Sequence, residues 1–343
     1  MNKWCGLKGL LPNLRRSGRS ALEVAIPVLL ALNMFSPTVS AESVETPDSG
    51  VLQPNWADKT VENVSNYLGD SVTWFDGFFD DERYTEETKA KVLLRLRNDF
   101  YYDQSVGGVE YKAKVRARVD LPNFSRKLKL VISGEDDELF SGVGNQYAAN
   151  GTTKDERSSI GLRYDLTEGL LEHLSLSANM RLKPMELIFK IRHRGLWELD
   201  DDLLGRLTST GYWNTREGFG SKIQFDLEKD LKESRLLRWA NQVEWSEEYQ
   251  DEGVNWSSVV TQYQRLSSKN AISFSAGVNG HSRPDVTPDK YLLRMQYRQN
   301  IYRPWLFVEV APEIFWPKDE RRDECTTCFA FLTRLEVVFQ KWD

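Results

Sequence analysis

The sequence predicts an all-β fold, a transmembrane antiparallel barrel of about 14 strands behind a short N-terminal amphipathic helix. Three observations carry that expectation. Residues 109–121 read Val-Glu-Tyr-Lys-Ala-Lys-Val-Arg-Ala-Arg-Val-Asp-Leu. Side chains alternate across a strand, so Val109, Tyr111, Ala113, Val115, Ala117, Val119 and Leu121 share one face. Glu110, Lys112, Lys114, Arg116, Arg118 and Asp120 share the other, and a strand greasy on one face and charged on the other suits a wall between lipid and water. Second, beyond the N-terminal segment no stretch offers the run of about 20 apolar residues that a spanning helix needs. Crossing a bilayer then requires a closed barrel, because only helices and closed barrels satisfy every backbone group in lipid. Third, the connections between period-two segments alternate between long, polar ones and short ones, as in barrels with long outer loops and short periplasmic turns.

The N-terminus reads as a cleaved export signal over residues 1–41. Lys3, Lys8, Arg15, Arg16 and Arg19 precede a largely apolar run from Val24 to Val39, and Val39-Ser40-Ala41 places small residues before Glu42. Pro27, Asn33 and Pro37 interrupt that run, which argues against a retained membrane anchor. The whole chain has 45 Lys+Arg and 51 Asp+Glu; residues 1–41 hold five basic and one acidic, which leaves 40 against 50. That balance excludes general nucleic-acid binding.

Residues 42–90 form a leader. Ser, Pro and Asp mark its first part, and from 57 to 80 the period becomes helical, with Val61, Val64, Leu68, Val72, Phe75 and Phe79 three or four apart and Trp74 and Phe78 beside them. Such a segment lies on the inner leaflet, tucks into a barrel mouth, or packs on the barrel base. The barrel occupies 91–343. Its expected strands are 91–101, 109–121, 127–134, 157–166, 173–182, 186–197, 205–213, 217–228, 236–247, 256–267, 270–280, 290–301, 304–316 and 327–340. Twelve strands is the competing count if 205–228 is irregular. Long connections fall at Gly134–Glu156, Glu248–Asn255, Gly280–Asp289 and Pro317–Thr326; short ones at Pro122–Arg126, Ser268-Lys269 and Tyr302-Arg303. Glu198–Leu204 reads as a longer inner turn. Tyr101, Trp197, Trp213, Trp245, Trp305 and Trp316 stand near strand ends, where an aromatic belt is expected.

The last strand alternates Phe329, Phe331, Thr333, Leu335, Val337 and Phe339. With the export signal and the alternating strands, residues 91–340 resemble the Gram-negative outer-membrane β-barrel class, as a class and not one family within it. The resemblance implies a place in the bacterial outer membrane among its lipid and lipopolysaccharide, reached through the barrel-assembly machinery. Chains of this class usually end on an aromatic residue, whereas this one continues through Lys341, Trp342 and Asp343.

The charged faces are where function is expected. Arg95, Arg97, Lys114, Arg116, Arg118, Lys129, Arg192, Arg194, Glu309 and Glu313 are the candidate lumen-lining residues. Basic residues outnumber acidic ones about two to one on the inferred inner faces, although the chain as a whole is acidic. A basic pore concentrates anions. The expected function is therefore a porin-like channel for small, anionic solutes, with no cofactor and no metal. The alternative is a closed barrel of structural or surface-interaction role, acting through the acidic loop Glu135-Asp136-Asp137-Glu138 and the loop between the cysteines. A third reading is a lipid hydrolase, which needs a histidine base within reach of a nucleophile. Only His173, His193 and His281 could serve, His281-Ser282 is the one adjacent pair, and no Gly-x-Ser-x-Gly elbow occurs. Cys5 falls in the export signal; Cys325 and Cys328 remain as an even pair in an exported chain and read as a short-range disulfide. With no second pair they do not make a zinc site.

Overall fold

The computed structural model describes residues 73–79, 92–105, 107–121, 127–133, 159–168, 171–182, 185–200, 202–231, 234–318 and 326–341. The expected export signal, residues 57–72 of the expected helix, the acidic loop at 135–138 and Cys325 lie outside them.

Fourteen strands form one closed antiparallel sheet: β1 (Val92–Asp103), β2 (Gly108–Asp120), β3 (Leu128–Ser133), β4 (Ser159–Glu168), β5 (Glu172–Leu182), β6 (Met185–Asp200), β7 (Leu203–Asn214), β8 (Gly218–Asp230), β9 (Arg235–Ser246), β10 (Asn255–Arg265), β11 (Asn270–His281), β12 (Thr287–Asn300), β13 (Leu306–Pro317) and β14 (Cys328–Lys341). Each strand pairs with its sequence neighbours, and β1 pairs with β14 from Val92–Lys341 to Asp103–Ala330, which closes the ring. The strand count of 14 is thereby settled over 12; 205–228 contributes two regular strands, paired from Leu203–Lys229 to Asn214–Gly218. Glu198–Leu204 is not the longer turn expected. β6 runs on to Asp200 and β7 starts at Leu203, with a register shift between Glu198 and Asp200. Polar tips continue the ladder there because a strand protruding into water need not keep an apolar face.

Alternation sorts the two faces. The outward set includes Phe100, Val115, Leu162, Leu176, Leu187, Phe189, Ile191, Phe225, Trp239, Val260, Phe274, Leu293, Phe331, Leu335 and Phe339, all exposed large apolar side chains. A closed barrel with such an outer surface is a transmembrane barrel of the bacterial outer-membrane type, since lipid is the solvent that tolerates that much exposed hydrocarbon. Polar residues on that face are paired with one another. Trp239 Nε1 donates to Ser258 Oγ at 2.9 Å, Ser258 Oγ donates to Asn241 Oδ1 at 2.8 Å, and Tyr111 Oη donates to Asn98 Oδ1 at 2.7 Å. Tyr101 departs from the expected aromatic belt. It shares the inward parity of Asp99 and Asp103 and its hydroxyl donates to Asp103 Oδ2 at 3.4 Å, while Phe100 and Tyr102 take the outward positions. One inward glycine is required by packing: a Cβ on Gly220 would fall within the ring of its register partner Tyr212, which lies buried over it.

A helix of seven residues, α1 (Thr73–Phe79), packs inside the barrel end that carries the short turns. Its rings meet Leu196, Leu204, Leu236, Tyr263 and Ala271, next to the β6–β7, β8–β9 and β10–β11 turns.

Phe274 stands outward near the middle of β11. Phe274→Arg is expected to lower the stability of the barrel in lipid vesicles by about 2–4 kcal/mol, the cost of a cation at mid-bilayer depth. Urea titration of folded and variant chains followed by tryptophan fluorescence measures it.

Candidate functional site

The inward face is charged at mid-height and apolar at the end where α1 sits, with a second apolar cluster of Ala240, Val259, Leu292, Phe315, Cys328 and Ala330 above. Among the described residues buried there, eleven are Lys or Arg and nine are Asp or Glu. That is closer to parity than the two-to-one ratio expected from the sequence.

The charges are ordered by register. Five strands bring one line of alternating sign around the wall: Lys112 of β2 opposite Asp99 of β1, Asp99 opposite Arg334 of β14, Arg334 opposite Glu309 of β13, and Glu309 opposite Arg298 of β12. The side chains follow that pattern. Arg334 donates from Nε and Nη2 to the two oxygens of Asp99 at 2.7 and 2.9 Å, a bidentate pair, and its Nη1 stands 3.6 Å from Glu309. Arg298 Nη1 reaches Glu309 at 3.2 Å and Glu336 at 2.8 Å. Glu336, fully buried, also receives Arg97 at 3.8 Å and Arg95 at 4.0 Å. Of the candidate residues, Arg95, Arg97, Glu309 and Lys114 (4.0 Å from Asp99) therefore meet in one network. Glu313 belongs to a neighbouring pair, its carboxylate 3.0 Å from Lys290 Nζ.

The next sector of the ring, β3 to β6, is different. Lys129 of β3, Arg163 of β4, Ser177 of β5 and Lys190 of β6 follow one another along a single register line with no acid among them. One turn of register away, Asp165 serves several cations at once: Lys129 at 2.5 Å, Arg163 at 2.8 Å and the His173 ring nitrogen at 3.0 Å. Arg192 and Arg194 share the inward parity of Lys190 on β6, opposite Ser175 and His173 of β5. On β2, Arg118 is buried and Arg116 half-buried, and Arg116 lies directly across from Arg95. Across the barrel, β10 and β11 turn small, uncharged side chains inward at mid-height, Ser257, Val259 and Thr261, then Ser273, Ser275 and Gly277, with Tyr263 and Ala271 at the end where α1 sits.

Two further ion-pair groups complete the interior. Glu228 takes Arg238 at 2.9 Å and Arg206 at 3.8 Å, and Arg181 takes Glu186 at 2.6 Å and Glu217 at 3.8 Å. Asp99, Asp165, Glu186 and Glu228 were not among the candidates. Asp99 shares strand parity with Arg95 and Arg97, and Glu186 with Arg192 and Arg194, so the same two-residue period would have found those two.

Two of the three histidines are held by carboxylates. His173 belongs to the Asp165 group. At the outer rim, His281 Nδ1 stands 2.7 Å from Asp289, while Ser282 Oγ accepts the Val254 N–H at 2.8 Å instead of meeting its neighbour. Among the described residues no group of three or more metal-ligating side chains gathers. Cys328 opens β14 and is buried.

No family model matches this chain, and no curated protein matches it. Several solved barrels are similar in form. A loop-L8 deletion mutant of OmpT, an outer membrane protein of Vibrio cholerae, is 9% identical over 73% of this chain and 99% of that one, with a TM-score of 0.44. OccK11 (OpdR) of Pseudomonas aeruginosa is 11% identical over 74% and 96%, with a TM-score of 0.40. KdgM porin is 3% identical over 71% and 99%, with a TM-score of 0.36. At such values these proteins carry nothing about what this barrel binds or passes.

Glu336 holds three arginines apart in a place with little water. Glu336→Ala is expected to cost about 3–5 kcal/mol, because it strands buried cations, whereas an Arg298→Met/Glu336→Leu double variant recovers most of that loss. Heat-shifted gel mobility and urea unfolding compare the three chains.

Proposed function

We propose that this barrel is an outer-membrane channel for small anionic solutes. The observation that carries the reading is the asymmetry of the inner wall. Charges alternate in sign along one register line from β12 through β14 to β2, whereas Lys129, Arg163 and Lys190 run in line on the strands that follow, with Arg192 and Arg194 beside them and Asp165 as the carboxylate that Lys129 and Arg163 share. A wall built only for stability would gain from the same alternation everywhere, since like charges side by side are unfavourable. The cationic line instead presents a path of positive potential, and the uncharged wall of β10 and β11 leaves width beside it. Arg95, Arg97, Lys114, Arg116, Arg118, Lys129, Arg192 and Arg194 are the residues we assign to the pore, with Glu309 and Glu313 as its acidic counterparts. No cofactor takes part.

The mature chain, residues 42–343 in this reading, follows removal of the export signal, enters the membrane through the barrel-assembly machinery, and meets lipopolysaccharide at its outer rim. A disulfide between Cys325 and Cys328 closes the last outer loop. A second reading, a closed barrel without transport, is favoured by the dense pairing around Glu336 and Glu309.

Planar-bilayer recording separates the two. Under a salt gradient the purified barrel is expected to pass anion-selective current, and Arg116→Ala/Arg118→Ala is expected to move the reversal potential toward cations. Sustained absence of current in every variant would support the closed barrel.

A further inference from the structure

Most inward positions at mid-barrel are polar, so the apolar collar at the short-turn end calls for a reason. Leu196, Leu204, Leu236, Tyr263, Ala271 and Phe307 all point inward there, beside the β6–β7, β8–β9, β10–β11 and β12–β13 connections. In an open, water-filled mouth these side chains would lie wet, at a cost proportional to their apolar area. They are not wet. Phe75 is 1% exposed, Leu204 1%, Leu236 0% and Ala271 0%, because α1 fills the space between them.

The contacts are ring on ring. Phe75 meets Tyr263 with centroids 5.5 Å apart, Phe79 meets Tyr263 at 5.3 Å, and Phe78 meets Phe307 edge-on at 5.9 Å. Trp74 stacks on Phe78 at 4.6 Å and carries the Arg265 guanidinium on its own ring, 5.0 Å from the centroid. The two collar rings are also the roof of the ion-pair network. Arg298 lies over Phe307 at 4.6 Å, and Arg238 lies over Tyr263 at 5.3 Å with its Nη1 donating to the tyrosine oxygen at 3.4 Å. The helix is therefore coupled, through two aromatic side chains, to the arginines held by Glu309, Glu336 and Glu228.

We propose that α1 is a gate: its four aromatic residues close the inner mouth of the channel on an apolar collar made for them, and their withdrawal opens it and loosens Arg298 and Arg238 beneath. This rests on the channel reading above. A seven-residue helix has too few backbone hydrogen bonds to persist alone in water, so packing in the collar is what holds it. Its displacement exposes both surfaces together, which makes the transition two-state.

The test is bilayer recording of the mature full-length chain against Phe75→Ala/Phe78→Ala, neither residue being assigned to the pore. The double variant is expected to be open more often by at least about tenfold, with unchanged unitary current and unchanged ion preference, since two buried rings no longer favour the closed state. Equal open occupancy in the two chains overturns the gate and leaves the channel standing. Silence in both overturns the channel, and the gate with it. Heat-shifted gel mobility verifies that the variant barrel is folded. Independently, Phe78→Cys/Phe307→Cys is expected to cross-link on oxidation and to suppress current until reduced; a pair that does not cross-link overturns the seating of the helix.

Discussion

Backbone pairing in lipid is the constraint on which everything else here depends. A strand in hydrocarbon has no water to satisfy its N–H and C=O groups, so a sheet that crosses a membrane must have no edge. The β1–β14 seam supplies this, joining residues more than 200 positions apart along the full length of β1. Closure also separates the molecule into an outside and an inside. Alternation then sends every second side chain to each, and the outer set is hydrocarbon because its solvent is hydrocarbon.

The inner set faces the opposite demand. Long cations enclosed in a ring of this size cannot all reach water, and an unpaired buried charge is costly. Register answers this on one side by alternating signs along Lys112, Asp99, Arg334, Glu309 and Arg298. On the other side it gathers Lys129, Arg163 and His173 around the single carboxylate of Asp165. The apolar collar and α1 finish the inner end in a third way, with ring packing in place of charge. Three solutions along one interior make its chemistry uneven.

Much of the fold was legible in the sequence because period two is a local property. All fourteen strands were placed within a few residues, and the outward Leu, Phe and Val positions followed from parity alone. What failed was local in a different sense. Glu198–Leu204 reads as a turn by composition, yet β6 runs on to Asp200 and β7 begins at Leu203, because a hairpin projecting beyond the membrane is released from the apolar–polar rule. Tyr101 reads as a belt residue by type, yet its parity places it beside Asp103. The candidate site was legible as a list and not as a network. Glu309 and Glu313 are equivalent by pattern, four residues apart on one face, but the first pairs with Arg298 and Arg334 and the second with Lys290. Pair identity depends on strand stagger, which the turns and the closing seam set together and no single strand encodes. Likewise the helical period at 57–80 was visible, but nothing in it named the collar of Leu204, Leu236 and Tyr263 as its seat.

One face of each strand meets acyl chains while the other encloses the charged interior, and a nitroxide scan along β11 in lipid vesicles measures which is which. Collision with oxygen is expected to show period two, with Phe274 and Ala276 accessible to that apolar quencher and Ser273 and Ser275 shielded from it. A reversed phase, or no alternation along the strand, would contradict it.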